Sequence, residues 1–169
     1  MTFCLACDIL DRMVYEGFAP FVNEDSRLLI LGSFPSVKSR EEGFYYGNKQ
    51  NRFWKILAQG FACPLAQTVA QKQDLLRAHG IALWDIVTAC EIRGSMDKDI
   101  KNPQIADVPS LLARYPITKI IANGGTARKL LLSYYPDLAP IVLSLPSTSP
   151  ANARLNVSLW LAALREFCP

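Results

Sequence analysis

Four short apolar runs punctuate the chain: Leu28–Leu31 (LLIL), Ile81–Val87 (IALWDIV), Ile117–Ala122 (ITKIIA) and Ile141–Leu145 (IVLSL). Each has the length and the Ile, Leu and Val content of a strand covered on both faces. Between them lie longer stretches with apolar residues at helical spacing. Phe53, Trp54 and Leu57 predict a helix from Asn51 or Arg52 to about Phe61, with Phe53 and Trp54 turned to the core. A second helix is expected over Leu65–His79, stopped by Gly80. A short one follows Asp107 as its cap, with Pro109 in the first turn, and ends before Pro116. After the Asn123-Gly124-Gly125 turn a helix runs from Thr126 to Tyr135, and the last spans Ala151 to Phe167.

Strands that alternate with helices imply a parallel sheet with helices on both faces. The fold class expected is therefore α/β, a three-layer α/β/α sandwich around a central four-stranded parallel sheet. Residues 1–169 read as a single domain, with 1–14 as an N-terminal extension. One long stretch, Cys90 to Ala106, carries neither pattern and reads as an irregular loop, and loops of that length are commonly functional or mobile.

Composition narrows the class. A chain of 169 residues, half apolar and a fifth charged, buries a substantial core. No apolar run approaches the roughly 20 residues of a membrane span. The opening MTFCLACDILDRMV has acids where a secretory signal needs basic residues, so a cytoplasmic, membrane-free monomer is the expectation. The net charge of +3 permits nucleic-acid binding without demanding it. Its distribution is more telling: Lys38, Arg40, Lys49, Arg52 and Lys55 fall in one segment, offset by Glu41 and Glu42, either of which Arg52 is placed to pair with. The five cysteines show no disulfide spacing. Cys4 and Cys7 form a C-x-x-C, but Cys63, Cys90 and Cys168 supply no second close pair for a four-cysteine cluster, so reduced, unligated thiols and no metal are expected.

Candidate chemistry gathers where four strands deliver their C-terminal loops to one edge, the ligand edge of open parallel sheets. The first loop brings Gly32-Ser33-Phe34-Pro35-Ser36 and, between Gly43 and Gly47, the triplet Phe44, Tyr45 and Tyr46. Aromatics in such a loop stack on a planar base or cover the core edge. The second brings Asp85 and Thr88, the third Asn123-Gly124-Gly125, and the fourth Leu145-Pro146-Ser147-Thr148-Ser149. Hydroxyls and main-chain N–H groups in the first and fourth loops suit phosphate oxygens. Ordinary N-capping of the last helix explains Ser147, Thr148 and Ser149 equally simply.

These motifs resemble those of the uracil-DNA glycosylase superfamily. The G-x-x-P turn after the first strand is Gly32-Ser33-Phe34-Pro35, and the x-P-S after the last is Leu145-Pro146-Ser147. A polar residue, Asp85, ends an inner strand between them. The run Tyr45-Tyr46-Gly47-Asn48 continuing to Asn51-Arg52-Phe53-Trp54 is similar to the hypoxanthine-DNA (deoxyinosine) glycosylase branch. The resemblance implies a monofunctional, cofactor-free glycosylase that flips a deaminated base out of DNA and hydrolyses its N-glycosidic bond. Uracil or mismatch excision, and a catalytically silent nucleic-acid-binding module on the same fold, are the alternatives.

Two departures from the superfamily pattern matter. Phe34 stands where uracil-excising relatives keep an acid or amide that handles water, and Leu145 stands where many keep His or Asn. The single histidine, His79, sits at a helix end and reads as structural. Asn51 remains, at the position where the resembled branch is thought to place its catalytic amide, and it also reads as a helix cap. Asp85 either reads the base through a ring N–H or is satisfied by the backbone near Thr88. Ser33, Phe34 and Tyr45 would line the base pocket with it. Ser36, Lys38, Lys49, Ser147, Thr148, Ser149 and Asn152 would face DNA, with Asn152 or Arg154 filling the gap left by the flipped base.

Overall fold

A computed structural model describes residues 13–168. Its centre is a sheet of four parallel strands, β2 (Leu28–Gly32), β3 (Ile81–Asp85), β6 (Lys119–Asn123) and β7 (Val142–Leu145), in the spatial order β3-β2-β6-β7. All three pairings are parallel. The expected α/β/α architecture is present, with each strand within a few residues of its expected bounds. Most of the N-terminal extension lies outside the described residues; Val14 opens a short strand, β1 (Val14–Glu16).

Successive side chains of β2 feed opposite layers, as the pleat requires. Leu28 and Ile30 pack with α2 (Phe53–Gly60), α3 (Val69–Ala78) and α6 (Val157–Phe167) around Phe53, Leu57, Leu76 and Trp160. Leu29 and Leu31 pack on the other side with Val108 and Leu111 of α4 (Val108–Arg114) and Leu131 of α5 (Gly125–Tyr134). All five β2 residues are buried, which accounts for an unbroken apolar run instead of an alternating one.

The structure corrects the sequence reading in several places. Val87 does not continue β3. The chain turns at Ile86, whose N–H donates to the Gly32 carbonyl, and starts β4 (Val87–Glu91). β4 pairs antiparallel with β1 and with β5 (Lys101–Ile105), so the stretch read as an irregular loop is largely a hairpin in a second, three-stranded sheet. The polar loop after β2 contains a helical turn and a half, α1 (Val37–Glu42), capped by Ser36 Oγ. α3 begins later than expected, at a capping box formed by Thr68 and Gln71. α6 also begins late, capped by Asn156, so Ser147, Thr148 and Ser149 are not its caps. Arg52 pairs with neither Glu41 nor Glu42. Glu42 takes the buried Lys72 ammonium at 2.8 Å, and Glu41 takes the exposed Lys38.

The chain runs from β2 outward to β3, then crosses back past β2 to β6. The switch point therefore lies between β2 and β6, where open α/β sheets form a crevice.

Candidate active site

A cavity of about 480 Å³ opens at that switch point. Its lining comes from all four strand ends: Gly32 to Ser36 after β2, Asp85 of β3, Asn123 of β6 and the 147–152 loop after β7, with Tyr45, Tyr46 and Asn51 closing one wall. Of the residues expected here, Ser33, Phe34, Tyr45, Asn51 and Asp85 are all brought together.

Asp85 forms the floor. It is 5% exposed, and its Oδ2 is buried with no hydrogen-bond partner. The backbone near Thr88 does not satisfy that oxygen. Burial, and secondarily the Asp97 carboxylate, pushes Asp85 up to about 7. Its neighbour in register is Gly32. A methyl group there would collide with Asp85 Oδ1 and come within 3.2 Å of Tyr46 Oη, so the absent side chain is what leaves both oxygens room.

The aromatic triplet divides. Phe44 and Tyr45 are core residues at 6% and 3% exposure. Tyr45 donates its hydroxyl to the Ala19 carbonyl at 2.8 Å, and its carbonyl accepts from Trp54 Nε1. Of the two roles open to the triplet, Tyr45 covers the core edge and gives the cavity a fixed wall, its ring packed edge-on against Phe18 and Phe44. Phe34 remains partly exposed, with the Arg40 guanidinium 5.6 Å above its ring. Tyr46, to which the sequence assigns no role of its own, stacks on Phe53 at 4.0 Å between ring centroids.

Asn51 sits one residue before Arg52 at the start of α2, and its Oδ1 accepts from the Phe53 N–H at 2.9 Å. The N-cap position itself is Arg52, whose side chain does not cap, so Asn51 ties down the first helical N–H from one residue earlier, and the same residue lines the cavity. Arg52 bolts this corner to the last motif. Its main-chain N–H donates to the Thr148 carbonyl, and its guanidinium donates to the carbonyls of Ser149 and Asn152. Leu145 is buried in the core and contributes nothing polar. Trp160 of α6 donates to the Pro146 carbonyl at 2.8 Å and so fixes the same loop.

Residues expected to face DNA fall into two groups. Lys38 and Lys49 are exposed, and Ser147, Ser149 and Ser36 are partly so. Thr148 is wholly buried: its Oγ1 accepts from Asn123 Nδ2, so its side chain is an internal tie and not a phosphate contact. Asn152 is also committed, donating to the Ser147 carbonyl and accepting from the Arg154 N–H, which leaves Arg154 the exposed charged side chain of that loop.

The hairpin loop between β4 and β5 supplies a rim where the sequence shows only a long irregular stretch. Ser95, Met96, Asp97 and Lys98 line the cavity. Ser33 donates to Asp97, the Val37 N–H donates to Ser95 Oγ, and Arg40 donates to the Gly94 carbonyl. A loop anchored by three contacts to the first motif is part of the cavity wall. Its signal in the sequence is length alone.

Cys4 and Cys7 lie outside the described residues. Cys63, Cys90 and Cys168 are free thiols, and the described residues contain no cluster of three or more His, Cys, Asp or Glu placed to hold a metal ion. His79 ends α3 and stacks flat on Phe61 at 3.6 Å, away from the cavity lining. No described helix is long and apolar enough to cross a membrane.

Comparison with known proteins agrees with this fold. A profile of the uracil DNA glycosylase superfamily matches residues 19–167. The chain is 33% identical over 162 residues to a hypoxanthine DNA glycosylase of Methanosarcina acetivorans, covering 91% of this chain and 100% of the relative. A hypoxanthine DNA glycosylase of Methanosarcina barkeri is 32% identical over 161 residues, with the same coverage. The solution NMR structure of a candidate uracil DNA glycosylase from Methanosarcina acetivorans superposes with a TM-score of 0.78 at 32% identity, covering 92% of this chain and 99% of that one.

Proposed function

The chain belongs to the uracil DNA glycosylase superfamily, and we propose that within it the protein is a monofunctional glycosylase acting on hypoxanthine in DNA. Its substrate is a deaminated adenine flipped into the cavity, and its products are free base and an abasic site.

One observation carries the reading: a buried carboxylate with an unpartnered oxygen forms the floor of a base-sized cavity. A buried acceptor of this kind is costly unless a ligand supplies a donor. Hypoxanthine offers its ring N1–H. The names of the two Methanosarcina relatives favour hypoxanthine over uracil, whose N3–H would meet Asp85 in the same way.

The chemistry then falls to few groups. Phe34 and Leu145 hold no water and polarise no leaving base. The Asn51 amide, fixed by its bond to the Phe53 N–H, orients water beside the sugar. An amide is a weak base, which suffices when the glycosidic bond is largely broken before water attacks, because an oxocarbenium-like sugar is a strong electrophile. Exposed Lys38 and Lys49, with Ser147 and Ser149, hold the backbone.

An incision assay on duplexes carrying hypoxanthine, uracil, xanthine or a mismatched thymine tests the assignment. Strand breakage after alkali at hypoxanthine, at least tenfold faster than at uracil, is the expected result. Faster uracil excision would reassign the substrate, and no excision of any base would leave a binding module.

A further inference from the structure

Tyr46 combines three features that its packing against the core does not explain. Its backbone lies in the left-handed region, at φ 54°, which an aromatic residue seldom adopts. Its hydroxyl is shut from solvent yet has no partner of hydrogen-bonding geometry. That hydroxyl lies against the same open face of Gly32 as Asp85 Oδ1, just behind the cavity wall to which the Tyr46 residue contributes. The Asn123 side chain influences the phenol in the lowering direction, as a donor does, and so offers its oxygen a neighbour without accepting the hydroxyl proton. An orphaned donor thus stands near a carboxyl group whose second oxygen, Oδ2, is an orphaned acceptor, and each lacks what a flipped base would bring.

We propose that Tyr46 and Asp85 together read the lactam edge of the base, Tyr46 donating to the exocyclic carbonyl oxygen while Asp85 accepts from the adjacent ring N–H. The inference rests on the glycosylase reading above and names the residue that supplies its specificity. Hypoxanthine presents O6 next to N1–H, which matches a donor beside an acceptor. Adenine presents the reverse, an amino donor at position 6 and a lone pair at N1. In this cavity adenine would set donor against donor and acceptor against acceptor. A site built to hydrogen-bond its substrate rejects an analogue that leaves those groups unpaired far more strongly than an apolar pocket rejects an extra methylene. Deamination is thereby converted into a change of fit. Guanine carries the same edge with an added 2-amino group, so its exclusion falls to the remaining walls.

Burial and the neighbouring Asp85 raise the Tyr46 hydroxyl well above its ordinary value, so it remains a protonated donor at any working pH. The ring is clamped against Phe53, so the hydroxyl is positioned before the base arrives.

The test is binding, without cleavage, of duplexes containing 2′-fluoro-2′-deoxyinosine or the 2′-fluoro nucleoside of unsubstituted purine, which lacks both O6 and N1–H. Wild-type protein should prefer the inosine duplex at least tenfold. Tyr46→Phe should lower that preference about tenfold and leave the Kd for the purine duplex unchanged, with a thermal midpoint at or above wild type because the stack on Phe53 is kept. Undiminished preference in Tyr46→Phe, or none in wild type, overturns the proposal. Excision of hypoxanthine by wild type is measured in parallel. Preference without excision would sink the enzymatic reading and keep the pair; excision with an unchanged preference in Tyr46→Phe would do the opposite.

Discussion

Asn123 and Thr148 bind each other twice: Asn123 Nδ2 donates to Thr148 Oγ1 and the Thr148 N–H donates to Asn123 Oδ1, both at 3.0 Å. Both residues are buried, and the pair joins the end of β6 to the loop after β7 at the cavity wall. Asn123→Ala leaves a buried N–H and a buried hydroxyl unpaired and should cost roughly 2–4 kcal/mol, whereas Thr148→Val, which loses only the hydroxyl bond, should cost about half as much. Urea melts of the two variants give the comparison; equal losses would mean that the main-chain bond carries nothing.

That pair also shows where sequence stops informing structure. Thr148 lies in a Ser-Thr-Ser run ahead of a helix, a pattern that fits capping and phosphate binding alike. Neither is its role, because the helix starts nine residues later under Asn156 and the hydroxyl turns inward to a residue 25 positions away. Side-chain ties of that separation leave no local periodicity. Strands β2, β3 and β6 do leave a signal, since burial on both faces demands continuous apolar runs, and the less buried edge strand β7 is still three-quarters apolar, so all four are legible. β4 and β5 are not, because their burial is mixed or mostly absent and β5 contains Pro103. Gly32, Asp85 and Asn51 are legible as cavity residues through motif order. Tyr46 is visible as one of three aromatics and as a member of the resembling run, with no role attached, and nothing local distinguishes its strained backbone from the buried rings before it.

The Asp85 carboxyl sets a dependence of stability on pH. Its folded value of about 7 lies above the ordinary 3.8, so the carboxyl favours the folded state below about pH 4 and that contribution is lost as pH rises toward 7. A rise of that size amounts to on the order of 4 kcal/mol at full ionisation. Asp85→Asn should therefore raise stability progressively between about pH 4 and 8, by up to a few kcal/mol, with little effect at the acid end. Thermal midpoints at both ends decide it; a variant less stable than wild type at the alkaline end would mean that the carboxylate has a compensating partner.

The same ionisation should appear in activity. Reading a ring N–H requires the carboxylate, so kcat/KM for hypoxanthine should fall as pH drops through about 7. Tyr45 and Tyr46, whose hydroxyls feel the Asp85 charge, are raised well above this range and cannot supply that limb. Asp85→Asn should flatten the acid limb. If the limb persists in the variant, another group titrates.

Lys38 and Lys49 are exposed, and the Lys38 ion pair with Glu41 is solvent-bathed on both sides, so that pair does not hold Lys38 back from DNA. Replacing both lysines with Ala should weaken duplex binding and reduce the magnitude of the log Kd against log salt slope by about 1–2, near one unit per lost phosphate contact. An unchanged slope would move the DNA face elsewhere.

Asn51 makes the sharpest case because its two roles separate experimentally. Its Oδ1 accepts from the Phe53 N–H, so Asn51→Ala removes a helix-end bond worth about 1 kcal/mol whatever the residue does in catalysis. Asn51→Asp retains an acceptor for that N–H and should restore most of the lost stability, while placing a charged carboxylate where the neutral amide stood. Hypoxanthine excision under single-turnover conditions should fall on the order of 10²-fold or more in Asn51→Ala, within the range of positioned proton-handling groups, with DNA binding nearly intact. Phe34 and Leu145 offer no polar side-chain atom to take over, so the loss should not be buffered by neighbours. If Asn51→Ala loses only stability and keeps its single-turnover rate, the amide is a cap, and the attacking water is held by Asp85 or the main chain of the first motif.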